Sequence, residues 1–293
     1  MLGNDQLRER LRALVRSRRS AACESDLEPG GPRDPATATE VVAPTSAVGV
    51  GVEEFLPGGT WSGTHGTVYV HERLRSTFER RGPDWGWLGE PPVGDPELSS
   101  LAVTGLHRTL FLDLETGGLT SSPLFLAGTM HWNGSDFVLR QYFARHYGEE
   151  AALVEAISEQ ARGFAMLVTF NGKSYDVPFL MGRAVLHGVT VNLPAAHLDV
   201  LHAARRRWKG QVQDCRLQTL ERSVCRRRRY GDVPSDEVPA LYHDFVRNGD
   251  PYRLVPVFHH NLLDVITMSE ILTALFRGRP LDSWHSRWAT LWS

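Results

Sequence analysis

Cysteine is scarce. The chain has three in 293 residues (Cys23, Cys215 and Cys225), none in a CxxC pair and odd in number. That argues against a disulfide framework or a structural zinc site, and a reducing, cytoplasmic setting is the expectation. Long apolar runs are missing too. None reaches the roughly 18 residues a membrane-spanning helix needs, so no membrane segment is expected. The N-terminus is basic, with Arg8, Arg10, Arg12, Arg16, Arg18 and Arg19 among leucines. It lacks the apolar core and small-residue cleavage site of a signal peptide, and Asp5 and Glu9 argue against a transit peptide. An imbalance of charge is also lacking, because the net charge is only −2.

What is present is a local excess. Between Arg205 and Arg229 stand ten basic residues (Arg205, Arg206, Arg207, Lys209, Arg216, Arg222 and Arg226 to Arg229) against Asp214 and Glu221. A patch of this kind gains affinity for a phosphate backbone by releasing counterions. A solvated surface run has the same composition.

The chain divides by composition. Residues 1–50 read as a short amphipathic helix (Leu7, Leu11, Leu14, Val15) followed by a disordered linker rich in Pro, Gly, Ala, Ser and Thr. Residues 51–105 read as a small β-containing elaboration, with Thr67–Val70 as a strand and a basic amphipathic stretch through Arg81. The main domain is expected over 106–276, and 277–293 form a tail with Trp284, Trp288 and Trp292. Within the main domain, strands are predicted at 109–115, 123–132 and 137–143, the last two joined by the Asn133-Gly134-Ser135-Asp136 turn. A helix over 149–163 ending at Gly163, a strand over 166–170 and a helix over 177–187 follow. Further helices are predicted over 198–208, 217–225, 239–247 and 256–276. The order implies an α/β fold, a mixed sheet with helices on its faces.

Three acidic patterns punctuate this order. Asp113 and Glu115 sit two apart on a strand, so both leave one face while Leu110, Leu112 and Leu114 fill the other. Two acids on one face of so apolar a strand are costly to bury unless a cation neutralises them, and hard oxygen ligands suit Mg²⁺ or Mn²⁺. A lone Asp-x-Glu also fits a strand with its acids in water. Asp176 follows the loop Asn171-Gly172-Lys173-Ser174-Tyr175 and stands where a helix N-cap is expected. Asp264 lies near the start of a long apolar helix, behind His259 and His260.

Taken in order, Asp113-x-Glu115, Asn171-x-x-x-Tyr175-Asp176 and the His-containing approach to Asp264 resemble the three exonuclease motifs of the DEDD (DnaQ-like) superfamily. The YprB-type, ribonuclease-H-like branch is the nearer likeness. It rests on Phe111–Leu119, Leu167–Asp176, His197–Arg205, Cys215–Glu221, Gly231–Pro234 and His260-Asn261-x-x-Asp264. The resemblance implies a ribonuclease-H-like fold and a 3′→5′ exonuclease acting on nucleic acid by a two-metal mechanism. Asp113, Glu115, Asp176 and Asp264 would hold two Mg²⁺ or Mn²⁺ ions about 4 Å apart. Asp113 would bridge the ions, and Glu115 would also help to position the attacking water.

A histidine is expected to orient or deprotonate that water. His260 is the better placed if the helix begins near Pro256, because position i−4 lies above Asp264 while His259 at i−5 is rotated away by roughly 140°. Asn171 and Lys173 are candidates for substrate phosphate, and Asp199 for a structural acid. Arg205, Arg206 and the rest of the basic stretch would line the path of a single strand. Trp208 within the stretch is a candidate stacking platform, with packing in the core as the commoner role for one Trp among eight. An endonuclease on the same centre, or a binding module without catalysis, remains open at this stage, as does DNA versus RNA.

Overall fold

The computed structural model describes residues 51–77, 94–118, 121–229 and 231–278. The expectations for residues 1–50, for the stretch through Arg81 and for the tail beyond 278 lie outside them. The described residues form one seven-stranded sheet in the order β1-β2-β5-β4-β3-β6-β7. Its strands are β1 (Gly59–Gly63), β2 (Gly66–Leu74), β3 (Thr109–Thr116), β4 (Leu124–Trp132), β5 (Phe137–Phe143), β6 (Met166–Thr169) and β7 (Ala196–Asp199). β3 pairs antiparallel with β4 and parallel with β6, and β6 pairs parallel with β7, so the sheet is mixed. β1 and β2 continue it beyond β5 by antiparallel pairing.

The β4–β5 turn forms as its chemistry dictates. The Asn133 side-chain oxygen accepts the backbone N–H groups of Ser135 (3.0 Å) and Asp136 (2.9 Å), and Gly134 takes the positive φ.

Seven α-helices are described: α1 (Pro96–Thr104), α2 (Glu150–Ala161), α3 (Asp176–His187), α4 (Val200–Trp208), α5 (Leu217–Ser223), α6 (Val238–Asn248) and α7 (Val255–Arg277). Two apolar cores lie against the sheet. One gathers Leu110 and Leu112 of β3 with α2, α3 and α6. The other gathers Phe111 of the same strand with α1, α4, α5 and most of α7. The period of two along β3 thus sends alternate residues into different cores. It also puts Asp113 and Glu115 on the Phe111 side, where α7 packs.

The structure departs from the sequence reading at three element ends. Residues 196–199 are a strand where a helix was expected to have begun at 198. Asp199 ends that strand, and its carboxylate caps α4 by accepting the Leu201 N–H at 3.1 Å. α2 ends at Ala161 with Arg162 as its C-cap, so Gly163 is not the residue that stops it. Asp176 is the first residue of α3 rather than its N-cap, and Tyr175 precedes it without a capping bond. Among the described residues no helix is long and apolar enough to cross a membrane.

Candidate active site

β3 supplies Asp113 and Glu115 beside the end of the strand, before Gly117 closes the turn by donating its N–H to the Pro123 carbonyl at 2.8 Å. α7 supplies His260, Asn261 and Asp264 from one buried stretch. Asp176 comes from the head of α3. Its carboxylate reaches beyond its own helix, because Oδ1 also accepts the Leu114 N–H of β3 at 3.1 Å. That bond ties the second acidic pattern to the first.

Asn261 fixes Asp113. It is fully buried, and its Nδ2 donates to Asp113 Oδ2 at 2.9 Å. Its Oδ1 accepts from Gln141 Nε2 at 3.0 Å. The approach is possible because Asp113 pairs across the sheet with Gly128. A Cβ on Gly128 would stand 2.2 Å from Asn261 Oδ1. Gln141 also donates to the Phe258 carbonyl at 2.8 Å, which pins α7 to β5.

His260 and Asp264 belong to a second set of contacts. His260 Nδ1 lies 2.8 Å from Asp232 Oδ1, and its Nε2 lies 3.4 Å from Asp264 Oδ2. Arg229 Nη2 reaches Asp264 Oδ1 at 2.5 Å and Nη1 reaches Asp232 Oδ2 at 3.4 Å. His260 is buried, whereas His259, one residue earlier, is exposed. The structure therefore brings His260, and not His259, to Asp264.

The electrostatics are those of acids forced together. Burial raises the Asp113 carboxyl well above the usual range, and the charges of Asp264, Glu115 and Asp176 add to the rise. Burial lifts Glu115 to about 8; Asp264, Asp176 and Asp232 push the same way and His260 opposes. Asp176 is raised to about 7, chiefly by burial, against the hydrogen bonds from its own N–H and that of Leu114. Burial raises Asp264 as well, with Arg229 and His260 holding it back. For His260 burial works downward, but the hydrogen bond to Asp232 and the charges of Asp264 and Glu115 win, and it rises to about 9.

A divalent ion suits this donor set. Four carboxylates that each resist ionisation gain most from a cation, and all offer hard oxygens. Among the described residues, though, no three His, Cys, Asp or Glu side chains already surround a single point as ligands would. Asp113, Asp176 and Asp264 are instead engaged singly, by Asn261, the Leu114 amide and Arg229.

The other expected residues divide. The Asn171 N–H donates to Asp199 Oδ1 at 2.8 Å and the Lys173 N–H to Oδ2 at 3.1 Å, so Asp199 clamps the loop leading to Asp176. Asn171 takes the left-handed conformation there, with φ 63°. Next to it Gly172 is required, because a Cβ would meet Thr169 Oγ1 at 2.3 Å. Lys173 Nζ is paired with Glu97 at 2.5 Å, and Arg206 makes a bidentate pair with Asp95. Neither offers an unpaired charge to phosphate. Arg205 is exposed.

The basic stretch is likewise not one continuous track. Arg227 and Arg229 turn inward onto Glu270, Glu221, Asp232 and Asp264. Trp208 is 1% exposed and packs in the core, which removes it as a stacking platform. Sequence reasoning gave no role to Asn261, Gln141 or Asp232, and it placed Arg229 along the path of a strand, where the structure turns it onto Glu221, Asp232 and Asp264. Polar Asn261 beside Leu262 and Leu263, and Gln141 inside an apolar strand, were the available signals.

Comparison with known proteins agrees with the fold. The sequence profile of the family described as "RNase_H superfamily" matches residues 110–276. The chain is 33% identical over 178 residues to the "Uncharacterized protein YprB" of Bacillus subtilis (strain 168). That alignment covers 58% of this chain and 42% of YprB, so the chain spans less than half the length of that relative. Among solved structures, the family B DNA polymerase of the hyperthermophilic archaeon Pyrobaculum calidifontis aligns with a TM-score of 0.47 at 16% identity. The aligned part is 60% of this chain and 26% of the polymerase.

Proposed function

Because the chain belongs to the RNase H superfamily, we propose that it is a divalent-metal-dependent nuclease that removes nucleotides from single-stranded nucleic acid in the 3′→5′ direction. One observation carries the reading. Asp113, Glu115, Asp176 and Asp264, from three separate elements, lie close enough that the charges of the others raise Asp113's carboxyl further above its usual range. A fold gains no stability from such an arrangement, and groups kept in it against that cost are the usual mark of a functional site.

In this reading the four carboxylates are the metal ligands. A divalent ion bound among them would lower the pKa of a water and stabilise charge on the leaving oxygen. Asn261 holds the Asp113 carboxylate in one rotamer by its 2.9 Å bond. His260 is the proton acceptor or water-orienting group, and Asp232 fixes its ring by engaging Nδ1, which leaves Nε2 facing Asp264. Its raised pKa follows in part from Asp264 and Glu115. Positive charge neutralising those two acids would let the imidazole lose its proton near neutrality, as a general base requires.

The test is the purified chain with Mn²⁺ and 5′-labelled oligonucleotides, single- and double-stranded, in DNA and RNA. A ladder shortening one nucleotide at a time, absent with Asp113→Asn, is the expected result. One discrete internal fragment would make the protein an endonuclease, and binding without turnover would make it a binding module.

A further inference from the structure

Arg229 stands inside the candidate site rather than on the surface. Its side chain is 6% exposed, and each guanidinium nitrogen faces a different carboxylate. Nε meets Glu221 Oε2 at 2.5 Å, Nη1 meets Asp232 Oδ2 at 3.4 Å and Nη2 meets Asp264 Oδ1 at 2.5 Å. The remaining oxygens of Asp232 and Asp264 are those that face His260. Arg229, Asp232, His260 and Asp264 therefore close a ring of alternating charge in which both oxygens of Asp264 are engaged.

The ring is anchored from behind. Glu221, 1% exposed, accepts from Thr267 Oγ1 at 3.1 Å and lies 3.6 Å from Arg227. Arg227 shares Glu270 with the buried Arg75. A row of alternating charges thus runs from Arg75 to Asp264 and holds the guanidinium in place. Arg229 and Asp264 meet as a close charge pair 2.5 Å apart, so a divalent cation bound at Asp264 would take the place of the guanidinium.

From this geometry we propose that Arg229 is a resident counter-ion that competes with divalent metal for Asp264. The inference rests on the reading of the carboxylates as metal ligands and adds a sign to it. A positive charge at Asp264 repels an ion approaching the other three acids and withholds one carboxylate from it. Were Arg229 only a support that orients Asp264 toward a metal, its removal would weaken metal binding. As a competitor, its removal tightens binding.

Calorimetric titration of the full chain with Mn²⁺ separates the two. Arg229→Gln, which keeps donors but loses the charge, should bind Mn²⁺ about tenfold more tightly than wild type or better. Arg229→Lys, which keeps the charge, should stay near wild type. Equal or weaker binding by a folded Arg229→Gln overturns the proposal and leaves the metal reading intact.

If Arg229→Gln does not fold, wild type decides. The Arg229 Nε–H resonance, identified by its loss in Arg229→Lys, should shift on titration with Mg²⁺ as the guanidinium leaves Asp264. Saturation with no shift refutes the competition. Absence of binding in every form removes the metal reading, and this proposal with it.

Discussion

Replacing Gly128 by alanine tests the site through a single methyl group. The added Cβ would lie 2.2 Å from Asn261 Oδ1, 2.8 Å from Cγ and 2.9 Å from Nδ2, so the whole amide is in the way. Relief to ordinary contact requires Asn261 to move by about 1 Å. Asn261 cannot move freely. It sits on a helix buried along most of its length and is bonded to both Gln141 and Asp113. Two outcomes follow from that restraint. Overpacking costs about 1–3 kcal/mol, and a strained bond to Gln141 or Asp113 adds about 1 kcal/mol.

The larger effect falls on function, because Asp113 loses the donor that sets its rotamer. A displacement near 1 Å at a reacting centre costs about 10²-fold in rate. Urea denaturation and Mn²⁺-dependent hydrolysis of a labelled oligonucleotide measure the two effects. Adding Asn261→Ala to Gly128→Ala removes the clash, so stability should partly return while activity stays low. Gly128→Ala with wild-type stability and rate would refute the account of Asn261 as the restraint on Asp113.

The two histidines should separate cleanly. His260→Gln should lower kcat by about 10²–10⁴-fold, the range of general acid–base contributions, while His259→Gln, altering an exposed side chain, leaves kcat near wild type; equal losses would reverse the assignment. Metal-free stability should fall as pH rises. A group whose folded pKa is raised stabilises the fold below its unfolded value and loses that contribution as pH climbs through the folded one. Glu115 (4.5 to about 8) and Asp176 (3.8 to about 7) place the loss between pH 4 and 8, and His260 (6.5 to about 9) extends it to pH 9. Melting temperature in EDTA should therefore fall from pH 5 to pH 8.5, and saturating Mg²⁺ should flatten the curve; a flat or rising curve in EDTA would sink this reading.

Much of the site was legible because its signals are local. The alternation along β3 fixes which residues share a face, so Asp113 and Glu115 could be placed together without knowing what packs on them. The long apolar run of α7 places His260 over Asp264 by helix geometry alone. What escaped the sequence depends on partners far away in the chain. Gln141 and Asn261 are 120 residues apart, and neither signals the other. Arg206 meets Asp95 across 111 residues, so a run of arginines that reads as a free track is partly neutralised in the fold. β7 was missed because four residues are too few to show a period, and Leu198 also continues the helical pattern of α4.

The four acids are not held alike, and the difference bears on their roles. Asp113 is fixed by Asn261, Asp176 by the Leu114 amide, and Asp264 by Arg229 and His260. The restraints come from α7, from β3 and from the segment after α5, so they depend on the sheet and α7 being correctly packed. The Glu115 side chain has no hydrogen-bond partner among the described residues. It lies at the irregular end of β3, where the register with β4 shifts between Glu115 and Thr116. A carboxylate without a tether can follow a water or a substrate oxygen, while three tethered ones keep the site's shape. Under the proposed nuclease reading, that asymmetry suits Glu115 to the adjustable task of positioning the nucleophile and leaves the fixed tasks to the others.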